Sequence, residues 1–263
     1  MNILLCNDDG VDSQGVRSLI KSLQPLAKLW LATPSSQRSA TSHGITTREL
    51  IPVKVISIEG TVKAWSIGGL PADCVKLALI ELLDEPIDLV ISGINEGSNL
   101  GTDTLYSGTV AAAVEGAFMG VPSLAISLAQ EEAGWDFKPA SGICAQLVRR
   151  IEEGSLVIPP FSMLNINVPP CKLEDIKGFH VARLGVRRYK NYFHMISQEG
   201  DITNYSLRGE AIPGDDGGTD CRPPEALQFK ADMDVVAQGY VSVVPISVDR
   251  TDFSLLVSLS EEL

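Results

Sequence analysis

Asn7-Asp8-Asp9-Gly10 sets two carboxylates side by side near the N-terminus. Held together, such groups repel unless one is protonated or a cation neutralises them. They follow the apolar run Ile3-Leu4-Leu5-Cys6, which reads as a strand buried on both faces of a parallel sheet. Successive strand side chains point to opposite faces, so Asp8 and Asp9 converge only where the backbone has left the strand, and Gly10 permits that turn. A helix cap or a turn is the ordinary use of an isolated Asp-Asp-Gly. Its position after a first strand favours a site, because ligands of open α/β sheets bind beyond the carboxyl ends of the strands.

Further oxygen donors belong to loops expected at the same sheet edge. Ser39 follows a second strand, and Asn95 lies in Ser92-Gly93-Ile94-Asn95 after the strand Ile87–Ile91. Taken singly, each is an ordinary loop residue making a local hydrogen bond. Together with Asp8 and Asp9 they form a carboxylate, amide and hydroxyl set suited to a hard cation such as Mg²⁺ or Mn²⁺, and no Cys/His cluster supports zinc. The glycine-rich stretch Ser92 to Gly101 runs on to Tyr106-Ser107-Gly108-Thr109, which opens a helix. A helix start offers free N–H groups and partial positive charge, a natural phosphate seat, although Ser107 or Thr109 could equally serve as a cap. The loop matches neither GxGxxG nor GxxxxGK[ST], so it signals no dinucleotide or P-loop chemistry. A cation cage beside an anion seat suits phosphate-ester hydrolysis, in which a metal polarises the phosphoryl oxygen and activates water.

The elements that must position these residues alternate in period. Leu29 to Ala32, Ile87 to Ile91, Ser123 to Ser127 and Met163 to Val168 read as strands. Helix faces appear at Val16, Leu19, Ile20 and Leu23, ended by Pro25, and at Val75, Ala78, Leu79 and Leu82, opened by Pro71. Two more are Val110, Ala113, Val114 and Ala117, and Cys144, Leu147, Val148 and Ile151 before Gly154. Ile45 to Ile67 reads as a β-ribbon insert turning at Glu59-Gly60. The expected fold is therefore α/β: a doubly wound, mostly parallel sheet. Pro169-Pro170 ends the regularity. Beyond it lie irregular polar segments, the turn-rich Pro213 to Gly218 and β-like Tyr240 to Val248. No Gly/Ser linker intervenes, so residues 1–263 read as a single domain, with a core over 1–170 and an extension over 171–263 carrying β-hairpins.

Composition sets the surroundings. The 263 residues carry 33 acidic and 21 basic side chains, a net charge of −12, with 44% hydrophobic residues. That is ordinary globular composition, and an acidic chain lacks the basic stripe that DNA binding needs. The odd, scattered cysteines Cys6, Cys74, Cys144, Cys171 and Cys221 fit reduced thiols in a cytosol. The N-terminus has no basic flank or long apolar run of the signal-peptide kind. The apolar stretch Val110 to Leu128 is broken by Glu115, Gly120 and Pro122 into a helix and a strand, so no membrane span is expected and the protein reads as cytoplasmic.

Asn7-Asp8-Asp9-Gly10, the Pro34…Arg38-Ser39 loop, Ser-Gly-Ile-Asn…Gly-Ser-Asn…Gly and Tyr106-Ser107-Gly108-Thr109-Val110-Ala111-Ala112-Ala113 closely resemble the SurE (survival protein E) family of metal-dependent 5′-nucleotidases. Leu164-Asn165-Ile166-Asn167-Val168-Pro169 and Gly239 to Pro245 match more weakly. The resemblance implies hydrolysis of nucleoside monophosphates at the 5′ position, with 3′-monophosphates and polyphosphate as further substrates. It implies one divalent cation per subunit on Asp8, Asp9, Ser39 and Asn95, and a phosphate flanked by Asn99, Ser107, Gly108 and Thr109. It also implies a Rossmann-like α/β core and a homodimer or homotetramer with the C-terminal extension in its contacts. Departures are Thr33 for Ala, a Ser35-Ser36-Gln37 loop without an acid, Ala231 for Thr and Val244 for Thr, none of them expected to touch the cage.

On this basis Asp9, or else Asp8, orients or deprotonates an attacking water, while Asn99 and the helix start stabilise the added charge. A covalent route through Ser107 lacks an evident base. His43, in the Ser39 loop, is a lesser candidate near the site; His180 and His194 read as surface groups, and Trp30, Trp65 and Trp135 as packing. The run Arg187 to Phe193 reads as an arm at an oligomer interface or a base contact. A receiver domain would be shorter and would want a Lys where Ser127-Leu128-Ala129-Gln130 stands, and a haloacid-dehalogenase phosphatase would want Asp-x-Asp. A non-catalytic nucleotide-binding module is the remaining alternative.

Overall fold

The computed structural model describes residues 1–130, 134–190, 192–212 and 228–262. The run Ile3 to Cys6 forms β1 (Asn2–Cys6), with four of its five residues buried. β1 lies between two parallel neighbours, β2 (Lys28–Pro34) and β5 (Leu89–Glu96). Outside β2 the insert supplies β3 (Val53–Ile56) and β4 (Lys63–Ile67), an antiparallel ribbon whose turn uses Gly60 at φ +86°. Outside β5 come β6 (Ser123–Leu128) and β7 (Ser162–Val168), both parallel.

Strand residues alternate between two cores. Ile3, Leu5, Leu29, Leu31 and Ile91 pack with Val16, Leu19, Leu23, Leu147 and Val148, from α1 (Gln14–Leu23) and α4 (Lys138–Glu152). Leu4, Cys6, Trp30, Trp65 and Val90 face the other way, against α2 (Pro71–Leu77) and α3 (Gly108–Phe118). Trp30 and Trp65 are thus packing residues, and Trp135 stacks on Phe137. Residues Gly108 to Ala117 are all buried, which is why this helix shows almost no polar face. The apolar stretch Val110 to Leu128 is indeed one helix and one strand, and among the described residues no helix is long and apolar enough to cross a membrane.

Past Pro170 the chain returns to the same sheet. β13 (Val241–Ser247) runs antiparallel to β7, and β8 (Phe179–Val181) pairs parallel to β13, giving the order β3-β4-β2-β1-β5-β6-β7-β13-β8. Strands β9 (Tyr189–Lys190) and β12 (Glu210–Ala211) form a short ladder, and β10 (Phe193–Glu199) with β11 (Ile202–Leu207) a hairpin exposing Phe193, Met195, Ile202 and Tyr205. His194 lies on this exposed hairpin. Among the described residues the remaining α-helices are α5 (Asp232–Ala237) and α6 (Phe253–Glu262). The turn-rich Pro213 to Gly218 and Cys221 lie outside the described residues; Cys6, Cys74, Cys144 and Cys171 are free thiols.

Connections from β1 run to β2 on one side, and the chain returns through α2 to β5 on the other. This reversal point is where an open sheet leaves a crevice. Helix α1 crosses it very closely: a Cβ on Gly15 would lie 2.1 Å from the Ile94 carbonyl oxygen. Gly15→Ala should therefore push helix and strand apart and cost roughly 1–3 kcal/mol. Thermal unfolding is the check, with a Tm lower by several degrees expected.

Candidate functional site

The chain leaves β1 at Cys6, and Asn7 shapes the turn beyond it. The wholly buried Asn7 donates from Nδ2 to the Gly10 carbonyl (2.9 Å) and accepts the Gly10 N–H (3.2 Å). This closed loop turns both carboxylates toward the crevice. Asp8, Asp9, Gln37, Ser39, Ala40, Asn95, Glu96, Asn99, Asp103, Tyr106 and Ser107 line a cleft of about 240 Å³. All four expected cation ligands and the expected phosphate groups Asn99 and Ser107 thus meet in one cleft.

Thr109 is placed differently. It is fully buried and absent from the cleft lining; its hydroxyl donates to Asp8 Oδ1 (2.5 Å) and its N–H also bonds the Asp8 carboxylate. The anion seated at the start of α3 is therefore a protein carboxylate, and Thr109 backs Asp8 where a direct phosphate contact was expected. Ser107 is the N-cap, accepting from the Val110 N–H at 3.1 Å. Gly108 borders Asp8 so closely that a Cβ would lie 2.8 Å from the Asp8 Cβ. The Asn95 Oδ1 lies 3.2 Å from the Thr109 hydroxyl, and its Nδ2 donates to the Gly97 carbonyl (2.9 Å), which turns the amide oxygen inward.

Asn95 was expected in a loop after its strand. It lies within β5, because the strand continues to Glu96 past a register shift between Gly93 and Asn95. Gly93 makes the shift possible: its φ is +134°, and a Cβ there would come within 2.3 Å of the Ile126 carbonyl. A second correction concerns the departures from the family pattern, for Gln37 does reach the cage, donating from Nε2 to Asp9 Oδ1 at 3.3 Å.

Supporting residues escaped the sequence reading. The Asn99 N–H donates to Asn167 Oδ1 (2.8 Å), its carbonyl accepts from Asn165 and Asn167 Nδ2 (2.8 and 3.0 Å), and its own Nδ2 donates to Ser127 Oγ (2.8 Å). The alternation Asn165-Ile166-Asn167 in a buried strand was the available signal, since two buried amides on one face must find partners. Buried Asp232 accepts from the Gly101 and Gly185 N–H groups (2.8 and 3.1 Å), tying the extension to the glycine-rich loop. At the cleft rim Asp103 accepts from Arg187 Nη1 (3.0 Å) and from the Tyr189 hydroxyl, whose pKa burial and this bond push up to about 12. His43 does not line the cleft; its Nε2 pairs with Glu115 Oε2 at 2.8 Å, and His180 bonds the Val181 carbonyl.

The electrostatics ask for a cation. No basic side chain lines the cleft. Burial pushes Asp9 up from 3.8 to about 7, with Asp8 and then Glu96 adding repulsion. Burial raises Asp8 as well, against the Thr109 bonds. One Asp9 oxygen, Oδ2, is buried without a hydrogen-bond partner. A divalent ion on Asp8, Asp9, Asn95 and Ser39 oxygens fits this unmet demand, and the all-oxygen set fits Mg²⁺ or Mn²⁺. Among the described residues no three His, Cys, Asp or Glu side chains gather in a metal-holding group, here or elsewhere, so the set at the cleft rests on two carboxylates with the Ser39 and Asn95 oxygens.

The survival protein SurE family matches residues 3–191. A protein of Syntrophomonas wolfei named 5′-nucleotidase SurE is 42% identical, over 97% of this chain and 92% of its own length. One of the same name from Thermosynechococcus vestitus is 41% identical over 95% and 92%. The crystal structure of the SurE protein from Aquifex aeolicus superposes with a TM-score of 0.79 at 33% identity, covering 100% of this chain and 99% of that one.

The raised carboxyls carry a sign. A raised folded pKa contributes stability below the unfolded value near 3.8, and that contribution is lost as pH rises through about 7 for Asp9. Without divalent ions the protein should thus lose stability from about pH 4 up to about pH 7, the last part of the loss falling above pH 6, and Mg²⁺ should raise Tm more at pH 8 than at pH 6. Thermal scans of wild type and Asp9→Asn check this, the variant showing a smaller difference between the two pH values. With its sheet order, its clustered site residues and its full-length relatives, the chain belongs to the SurE family.

Proposed function

We propose that the protein is a divalent-cation-dependent phosphomonoesterase releasing phosphate from nucleoside 5′-monophosphates. The observation that carries this reading is the meeting of Asp8, Asp9, Ser39 and Asn95 beside Asn99 and Ser107 in one acidic cleft. Relatives of near-equal length named 5′-nucleotidases support the substrate class. The cation, when bound on these oxygens, supplies Lewis-acid polarisation of the phosphoryl group and lowers the pKa of water.

The protein's own groups have separable tasks. Asp8, held from two sides by Thr109, is a fixed ligand that cannot swing away. Asp9 keeps one oxygen on Gln37 and one without a partner, so it can take a proton from, or orient, an incoming water. Ser107 accepts through its oxygen from Val110 and keeps its hydroxyl hydrogen for a phosphoryl oxygen. Asn99 is clamped at backbone and side chain, so its polar group needs no reorganisation as charge builds on the phosphoryl oxygens. The Gly108 N–H stands at the same helix start.

The same reading extends to assembly and location. Exposed Phe193, Met195 and Ile202 on the β10–β11 hairpin and Phe253, Leu256 and Val257 on α6 form apolar surfaces suited to a second copy of the chain, as a homodimer or homotetramer. The free cysteines, Cys6, Cys74 and Cys144 buried and Cys171 partly so, suit a reducing cytoplasm.

Phosphate release from AMP with Mg²⁺ or Mn²⁺ tests the activity, and EDTA should abolish it reversibly. The same assay on 3′-AMP and polyphosphate sets the range. Asp8→Asn and Asp9→Asn should each lower kcat/KM by more than about 100-fold, beyond the roughly 10–100-fold typical of a supporting group. Thr109→Val should fall in that supporting range and raise the Mg²⁺ concentration for half-activation. Full activity in Asp8→Asn or Asp9→Asn, or metal-independent activity, would refute the assignment.

A further inference from the structure

A second cavity, of about 330 Å³, lies behind the loop that supplies Gln37 and Ser39 to the cleft. Its lining is Arg38, Thr46 to Glu49 and Gly68 to Leu70. The loop divides the two spaces residue by residue: Gln37 and Ser39 face the cleft, and the intervening Arg38 faces the cavity. The backbone of Arg38 is anchored, its N–H donating to the Asp8 carbonyl (2.6 Å) and its carbonyl accepting from Thr41 Oγ1 (3.0 Å). Its side chain is not, for the buried Nε has no hydrogen-bond partner.

Arg48 enters the same cavity, and among the described residues no carboxylate pairs with either guanidinium. Arg38 and Arg48 are the basic groups of the wall and Glu49 its one lining acid; the Asp73 carboxylate lies just behind, taken up by the Thr46 N–H and hydroxyl and the Leu70 N–H. The Thr46 hydroxyl is taken by Asp73 (2.6 Å), while Thr47 is exposed. A buried polar group is ordinarily matched, and Arg38 Nε is not; with the exposed Arg48 lining the same space, two planar forks suit a tetrahedral oxyanion.

We propose that this cavity is a second anion site, taking a phosphoryl dianion and distinct from the cation-binding cleft. Its ligand is inorganic phosphate or the phosphoryl group of a nucleotide; both present the same oxygens to Arg38 and Arg48.

Protein freed of divalent ions separates the two spaces, because the acidic cleft then repels anions while the arginine cavity does not. Calorimetric titration of this protein with inorganic phosphate, AMP and adenosine tests the proposal. Saturable binding of about one equivalent of phosphate or AMP is expected, weaker by about tenfold or more in Arg48→Ala and lost in Arg48→Glu. Arg48 is exposed, so both variants should fold, which circular dichroism verifies. Equal affinity for phosphate and AMP identifies the free ion as sufficient, and tighter AMP identifies an ester; both support the site. Absence of saturable binding, undiminished binding in Arg48→Glu, or binding of adenosine would overturn it. With Mg²⁺ present, Arg48→Ala should keep the wild-type kcat, and a fall would overturn the separation from the cleft. Loss of phosphate binding with turnover intact leaves the proposed reaction standing, so the two readings fail independently.

Discussion

An internal carboxylate occupies the start of the central helix. Asp8 takes both the hydroxyl and the N–H of Thr109, and Gly108 leaves room for it where any Cβ would collide. The partial positive charge of the helix end and these two bonds favour the ionised carboxylate, while burial opposes it. Burial is the larger effect, so Asp8 remains raised and Asp9 beside it reaches about 7. That imbalance is what a divalent cation would remove, and it links the geometry of α3 to the chemistry of the cleft.

The rest of the site depends on this position being rigid. Asn95 touches the same Thr109 hydroxyl, so the glycine-rich loop is registered against Asp8 through one oxygen. Farther along that loop, three side chains from β6 and β7 hold Asn99, and Asp232 of α5 holds Gly101. The segment beyond Pro170 therefore shapes the site from a distance in sequence. Arg187 and Tyr189 do so too, by fixing Asp103 at the rim.

Charge is distributed unevenly around the Arg38 loop. On one side lie Asp8, Asp9 and Glu96 without a basic partner in the lining; on the other lie two guanidiniums without an ion-pair partner among the described residues. On the acidic side burial and repulsion both raise the carboxyls, while on the other the exposed Arg48 stays hydrated beside the half-buried Arg38. The two are complementary in what they would bind, a cation on one side and an oxyanion on the other. Glu115 shows the contrasting, self-contained solution. Burial would raise it, yet bonds from His43 and Lys76 bring it below the usual carboxylate range, so it presents no unmet charge.

The strand and helix periods made the α/β order readable, because Ile3-Leu4-Leu5-Cys6 and the Val16 to Leu23 face each bury along one local repeat. That Asp8, Asp9, Ser39 and Asn95 would share one cleft was readable as well, since parallel strands must end on one edge. Other features were decided only by tertiary contact. Thr109 looked like a phosphate group until Asp8 filled its place, and Gln37 looked remote until its amide reached Asp9. Asn95 moved into β5 because Gly93 could accept a close carbonyl from β6. Local periodicity records which face of an element is buried; it does not record which distant polar group meets which. That pairing comes from distances between chain segments far apart in sequence, and it exists only once the sheet and its helices have closed.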